Sequence, residues 1–501
     1  MVRTRRLLAA LLVASMALPL AACSRVVNPA TGESQYTTLS PDEERQIGAQ
    51  QHPQILHEFG GAYDDAALQA YVEAVGGRLG AVSDLPEDDF TFTILNSEVV
   101  NAFALPGGYV YVSRGLLALV ENEAELAGVL GHEIGHVTAR HAAQRQTQAT
   151  GAGILATLGT IGAAILGGQV AGELAQQVAG AGAQAYVAGY SRDQELEADT
   201  LGIRYMARAG YDPQAMASFL RKLDGQSELQ RRLQGEAGDP GQSWFATHPR
   251  TLDRVQRAIE EAGAPTEDGR LERDAYLAQI DGLIYGEDPG EGLVRGRSFL
   301  HPDLDFAFEA PEGFRLQNTP SAVLGRDSRG RIMIFSGADL DGGSLESYVG
   351  DRGLRQVASI LKASVSQPRN VRSFTVRGMP AASSSAIIAT PQTRAALGLA
   401  AVQAKDRAYQ FIFISPGGMD AAQGAAYQSA VESFRRLSPE EAAAATPLRI
   451  RVVRLDQGAS ALRLGQRMEV DTAPLELFEV LNAGAVAQGL PSGEEVKLVT
   501  R

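Results

Sequence analysis

Cysteine is almost missing from this sequence. Cys23 is the only one among 501 residues, so a disulfide framework is excluded. Basic charge is in deficit as well: 45 lysines and arginines stand against 59 aspartates and glutamates, a formal net charge of −14. A chain this acidic has no bulk-charge route to nucleic acid or to anionic lipid surfaces, and no nucleic acid is expected as a partner. Uncharged apolar runs are few, essentially Leu7–Leu20 and Gly151–Gly172, which leaves no series of spanning helices. The length gives room for two or three domains, each with its own core.

The first run has the form of a signal peptide over residues 1–22, with Arg3, Arg5 and Arg6 ahead of the apolar stretch. It closes on Leu20-Ala21-Ala22-Cys23, which resembles the bacterial lipobox, whose cysteine is lipidated and becomes the mature first residue. The alternative is a plain secretory leader with a free thiol. Loss of residues 1–22 removes three arginines and no acids, moving the charge to −17. Ser24 follows the cysteine, and in the lipoproteins this resembles, lack of aspartate there favours the outer membrane. Residues 23–39, with Asn28-Pro29-Ala30-Thr31-Gly32, read as a polar tether.

The chemistry begins at Gly131-His132-Glu133-Ile134-Gly135-His136, inside a run from Glu121 to Gln144 that the spacing predicts as one helix. Leu126, Leu130, Ile134 and Val137 form its apolar stripe, and Gly128, Gly131 and Gly135 keep neighbouring faces thin. Side chains four apart on a helix stand above one another, so His132 and His136 present two imidazoles to one point. That is a metal-ligand pair, with Glu133 beside it as candidate general base for a metal-activated water. Alone, His-Glu-x-x-His is a pattern that also arises by chance on helices with two surface histidines.

A second signal lies downstream in Ser191-Arg192-Asp193-Gln194-Glu195-Leu196-Glu197-Ala198-Asp199. Glu195 and Asp199 are also four apart. Glu195 can complete three protein ligands, leaving a fourth position open, while Asp199 would accept the free ring N–H of a ligating histidine, most simply His132. Glu197 reads as a solvated acid. Upstream, Phe90–Ile94, Val99–Phe103 and Tyr109–Val112 are predicted strands of a small sheet, turned by Pro106-Gly107-Gly108. Asn101-Ala102-Phe103 there would be an edge that pairs with an extended peptide. His52 and His57, five apart, fall on different helical faces and read as structural. Gly151–Gly172 with Glu173–Tyr190 reads as an apolar helical pair or lid, the alternative being a membrane-dipping helix.

Thr247-His248-Pro249 opens a further helix that carries Arg254. Together, Asn101-Ala102-Phe103, His132-Glu133-x-x-His136, Glu195-x-x-x-Asp199 and His248-Pro249 with Arg254 resemble, in order and spacing, the zinc metallopeptidases that include HtpX, the CAAX prenyl endopeptidases and periplasmic BepA-like proteases. The resemblance covers about residues 28–262. It implies a mostly helical gluzincin fold with a small sheet, and one Zn2+ per chain on His132, His136 and Glu195. It also implies catalysis by Glu133, with substrate or oxyanion contacts from His248 and Arg254. In some periplasmic relatives the histidine equivalent to His248 also closes the metal's open position. The lipobox start, without spanning helices, points to the BepA-like side of the family.

The expected architecture is multidomain: a mostly α metallopeptidase domain with a small β-sheet over 40–264, a connector over 265–298, an α+β domain over 299–437 and a small βααβ module over 448–501. That module resembles a LysM peptidoglycan-binding unit, although Gln457-Gly458-Ala459-Ser460 departs from the usual turn, and a structural cap is the equal alternative. The sequence thus predicts a lipid-anchored zinc metalloendopeptidase on the periplasmic side of the bacterial cell envelope. By analogy with the family, its substrates would be unfolded or misassembled envelope proteins. The other reading is an envelope chaperone or assembly factor with proteolysis secondary.

Overall fold

The computed structural model describes residues 24–145 apart from 31, 33, 38 and 87–89, then 189–234, 248, 252–263, and 269–501 apart from 391–392. The leader, Cys23, the Gly151–Gly172 stretch, Thr247 and Pro249 lie outside the described residues. Among the described residues no helix is long and apolar enough to cross a membrane.

The tether is more ordered than its composition suggests, because β1 (Ser24–Val27) and β2 (Ser34–Thr37) pair as an antiparallel hairpin. Helix α1 (Pro41–Glu58) starts with Ser40 and Glu43 closing a capping box and Pro41 in the first turn, and it runs on past His52. His52 Nδ1 meets the Tyr111 hydroxyl at 2.7 Å, a structural contact. Helix α2 (Ala66–Ala81) is capped by Asp65. The small sheet contains β3 (Thr91–Leu95), β4 (Ala102–Leu105) and β5 (Tyr109–Ser113) in the order β3-β5-β4. Strand β4 is therefore an edge, and all four of its residues are buried. Helix α3 (Arg114–Leu119) leads from the sheet into α4 (Glu123–Thr138), on which the candidate metal ligands stand.

One expectation for this helix does not hold. The Glu121–Gln144 run is two pieces, because Arg140 takes a left-handed φ of 58° and helix resumes only at 141–145. Buried ion pairing of Arg140 with Glu44 of α1, and a bond from its Nη2 to the Leu39 carbonyl, hold the break. Helices α5 (Arg192–Arg208), α6 (Gln214–Gln234), α7 (Leu252–Ala262) and α8 (Arg273–Ile280) complete this half.

Residues 265–298 are not a mere connector. Tyr276, Leu277 and Ile280 of α8 belong to the same core as Val72, Leu117 and Leu126. Ile284–Tyr285 then joins Leu448–Arg454 and Glu495–Thr500 in one sheet. The C-terminal unit has the expected strand, helices and strand, but Ile450, Phe478, Val496 and Leu498 share that core too. It is built into the core of the N-terminal half, which favours the structural-cap reading. Lys497, wholly buried, donates from Nζ to the carbonyls of Ala118, Leu119 and Val120 at 2.7–3.0 Å, where α3 ends.

Between these elements lies the α+β domain. An eight-stranded antiparallel sheet runs from Arg315–Asn318 at one side to Ser364–Val365 at the other. Helical residues 345–360 cover one face and Ala421–Glu432 the other, giving two separate apolar layers.

Burial and Lys222 lower the Lys497 pKa to about 7, whereas an unfolded chain keeps that proton to about 10.4. Between those values unfolding takes up a proton, so this group's contribution to stability improves as pH rises. Lys497→Met, which leaves three buried carbonyls unpaired, is expected to lower the unfolding free energy by about 2 kcal/mol at pH 7. The gap to wild type should widen by pH 9. Urea titrations at both values check this, and a constant gap would refute the depressed pKa.

Candidate metal centre

Two helices bring the candidate ligands together because their facing sides are nearly bare. A Cβ added to Gly131 would sit 3.2 Å from the Gly202 carbonyl, one on Gly135 would sit 3.0 Å from that of Ala198, and one on Gly202 would come within 2.9 Å of His132 N. Helices α4 and α5 therefore approach at backbone distance, and Glu195, one turn into α5, reaches the histidines of α4. His248 joins them from just before α7.

The four side chains His132, His136, Glu195 and His248 are all buried, and one ligand atom from each lies within 4.8 Å of the others. His132 Nε2 is 3.0 Å from His136 Nε2 and 3.2 Å from His248 Nδ1. Glu195 Oε1 is 3.0 Å from His248 Nδ1 and 3.5 Å from His136 Nε2. Donors held ~2.0–2.1 Å from a tetrahedral zinc stand about 3.3 Å apart, so these separations fit that ion and its donor chemistry. His248 occupies the fourth corner.

Charge balance points the same way. Glu133 is 0% exposed, and among the described residues neither of its carboxylate oxygens makes a hydrogen bond. His248 Nε2 stands 3.4 Å from its Oε1. Burial raises the pKa of Glu133, an effect that His248 and His132 only partly offset. Burial alone would also raise Glu195, but His248, His136 and Arg254 hold it well below the usual range. His136 is kept neutral by burial, well below its ordinary pKa. A buried carboxylate that makes no hydrogen bond among the described residues, with the His248 ring at 3.4 Å, is an environment that a divalent cation and its water would satisfy.

Behind the ligands, Asp199 Oδ1 lies 2.9 Å from His132 Nδ1, in the geometry that sets a ligating histidine's tautomer. Arg254 differs from the expectation of an oxyanion contact. Its Nε and Nη2 clasp Asp199 at 2.7 and 2.8 Å, and its Nη1 reaches Glu195 Oε2 at 2.7 Å. The guanidinium is thus spent on the two α5 carboxylates and acts on the metal site through them. Asn101 is buried just ahead of β4, its backbone N–H on Ser113 Oγ at 3.1 Å. Ala102, the next residue, opens the strand that packs against α4.

Two neighbours were not foreseen. His141, placed by the break at Arg140, brings its Nδ1 to 2.8 Å from His136 Nδ1. Tyr190 stacks on His136 with ring centroids 3.8 Å apart, under the Arg145 guanidinium. On one continuous helix His141 would have faced away from His136; the only hint for Tyr190 was its position directly before the Ser191 cap. Glu197 is also misjudged as fully solvated, since it pairs with His141 at 3.2 Å.

Comparison with known proteins now has a site to attach to. The profile of Peptidase family M48 matches residues 66–262, which include all four donors. Over 201 residues the chain is 37% identical to a beta-barrel assembly-enhancing protease of Yersinia pestis, covering 40% of this chain and 41% of that one. Over 231 residues it is 33% identical to the beta-barrel assembly-enhancing protease of Escherichia coli (strain K12), covering 45% and 47%. The mitochondrial metalloendopeptidase OMA1 of Schizosaccharomyces pombe is 29% identical over 237 residues, 46% of this chain and 65% of that one. The chain therefore spans about half the length of the curated relatives it matches first.

Arg254→Met would leave Glu195 and Asp199 buried without their cation and is expected to destabilise the metal-free protein by about 3–5 kcal/mol. An unchanged urea midpoint together with a lowered turnover would instead return Arg254 to the oxyanion.

Proposed function

With residues 66–262 a peptidase family M48 domain, we propose that this protein is a zinc-dependent metalloendopeptidase of the bacterial cell envelope. The observation that carries the reading is the buried cluster of His132, His136, Glu195 and His248, with the Glu133 carboxylate beside it making no hydrogen bond among the described residues. When bound there, zinc supplies Lewis-acid activation of a water, lowering its pKa to about 7, and polarises a peptide carbonyl. Glu133 takes the proton of the attacking water at a carboxylate oxygen and passes it to the leaving amine. Asp199 holds His132 in the ligating tautomer, and Arg254 fixes Asp199 and Glu195. An extended substrate adds to the β4 edge at Asn101 and Ala102.

His248 has two roles in this reading. Its Nδ1 sits among the ligand atoms and closes the resting site. Released from there, the imidazole can donate to the oxyanion, a contact typically worth about 3 kcal/mol. Substrates are read as unfolded or misassembled envelope proteins, in keeping with the name of the bacterial relatives, beta-barrel assembly-enhancing protease, and Cys23 as the lipid anchor on the periplasmic side, at the outer membrane.

Purified mature protein is expected to carry one zinc and to cleave casein. Glu133→Gln should keep the metal and lose activity by roughly 10²- to 10⁴-fold, the usual share of a general base. A zinc-loaded wild type that only binds casein, without cutting it, would favour the holding function instead.

His248→Ala is expected to keep its zinc and cleave an unfolded substrate faster than wild type. A loss of roughly a hundredfold at constant zinc would assign His248 to the oxyanion alone. Fractionation of Cys23→Ser tests the anchor: a processed variant that stays in the membrane pellet after a high-salt wash would refute it.

A further inference from the structure

Each imidazole of α4 has a second nitrogen, and the two are served differently. His132 Nδ1 turns to Asp199. His136 Nδ1 turns the other way, to His141 Nδ1 at 2.8 Å. His141 is wholly buried, and its remaining nitrogen, Nε2, lies 3.2 Å from Glu197 Oε2. The other oxygen of Glu197 accepts from Asn28 Nδ2 at 3.3 Å. Asn28 is itself 1% exposed and sits in the loop of the β1–β2 hairpin, where its Oδ1 accepts from Ala30 N and its carbonyl from Gly32 N.

Proton counting gives this chain a direction. A ligating His136 presents Nε2 as a lone pair, so its Nδ1 carries the hydrogen and donates. Neutral His141 must then accept at Nδ1 and donate from Nε2, and Glu197 accepts at the end. Every donor meets an acceptor in that arrangement. If His141 carried both hydrogens, His136 would have to accept at Nδ1 and hold its hydrogen on Nε2, where ligation is impossible.

We propose that His141 and Glu197 are positioning residues of the metal centre, fixing the ligating tautomer and ring orientation of His136, and that Asn28 locks them in place from the N-terminal hairpin. The inference rests on the metal reading above. It makes the hairpin a working part of the site: seating residues 24–37 against α5 holds Glu197, Glu197 holds His141, and His141 holds the ligand. Helix α5 then serves both ligating histidines, through Asp199 on one side and Glu197 on the other.

The test is zinc affinity by chelator competition on purified protein, with the thermal midpoint of each metal-free form measured alongside. Glu197→Leu is expected to weaken zinc binding roughly 10- to 100-fold, the usual cost of losing an outer hydrogen-bond partner. Glu197→Gln, whose amide oxygen still accepts from His141, should recover most of that loss. His141→Phe, which keeps the ring and removes its nitrogens, should match Glu197→Leu, and Asn28→Ala should move affinity in the same direction by less. Unchanged affinity in Glu197→Leu and His141→Phe would overturn the proposal. So would lower metal-free midpoints with normal affinity in the folded fraction, the mark of packing alone. If wild type itself binds no zinc, the metal reading fails first; if wild type binds it and the variants bind as tightly, only the relay fails.

Discussion

Three carboxylates buried within one small volume set the terms for the rest of this half of the molecule. Glu133, Glu195 and Asp199 are each at most 4% exposed, and a carboxylate removed from water needs a cation or a set of donors. Arg254 meets part of the demand by bridging Asp199 and Glu195. Glu133 is left without a hydrogen bond among the described residues. Three carboxylates against one guanidinium leave the cluster short of positive charge, which a cation held where the imidazoles and Glu195 converge could supply.

Such convergence depends on backbone spacing before it depends on chemistry. Helices α4 and α5 can deliver ligands from two segments only because Gly131, Gly135 and Gly202 put no side chains between them. Interdigitated side chains ordinarily hold helix axes 8–10 Å apart, and a methyl group at Gly202 would press on the backbone N of His132 itself. Packing and ligation are thus one constraint, which is why the glycines flank the histidines in the sequence.

What was legible in the sequence follows from this. His132 with His136, and Glu195 with Asp199, are pairs at helical spacing, and a period of 3.6 places each pair on one face without knowledge of the fold. The βααβ order at the C-terminus is an equally local signal. Arg254 was found, but its pairing with Asp199 and Glu195 was not, since nothing in a single sequence says which of several carboxylates a distant guanidinium meets. His141 was missed because the break before it uses a left-handed Arg140 in place of a glycine or proline, held by Glu44 almost a hundred residues earlier. The 265–298 stretch looked like a linker because its turn residues are local while its partners, Ile450 and Leu448–Arg449, are remote.

The same remoteness gives the C-terminal unit a part in the site's architecture. Glu121 stands just before α4, accepting from Gly484 N at 3.0 Å and pairing with Lys222 at 2.7 Å. Lys222 also meets Glu125 in the first turn of α4 at 2.6 Å, and Glu125 in turn accepts from the Glu121 N–H at 2.8 Å. Lys497 closes the end of α3 that feeds into this turn. The start of α4 is consequently fixed by residues from α6 and from the last 20 positions of the chain, while its far end is held by the pairing of Arg140 with Glu44 of α1. A helix pinned at both ends by buried charge cannot slide along its own axis without stranding those charges. His132, about two turns from Glu125, and His136, about one turn from Arg140, keep their register with α5 for that reason.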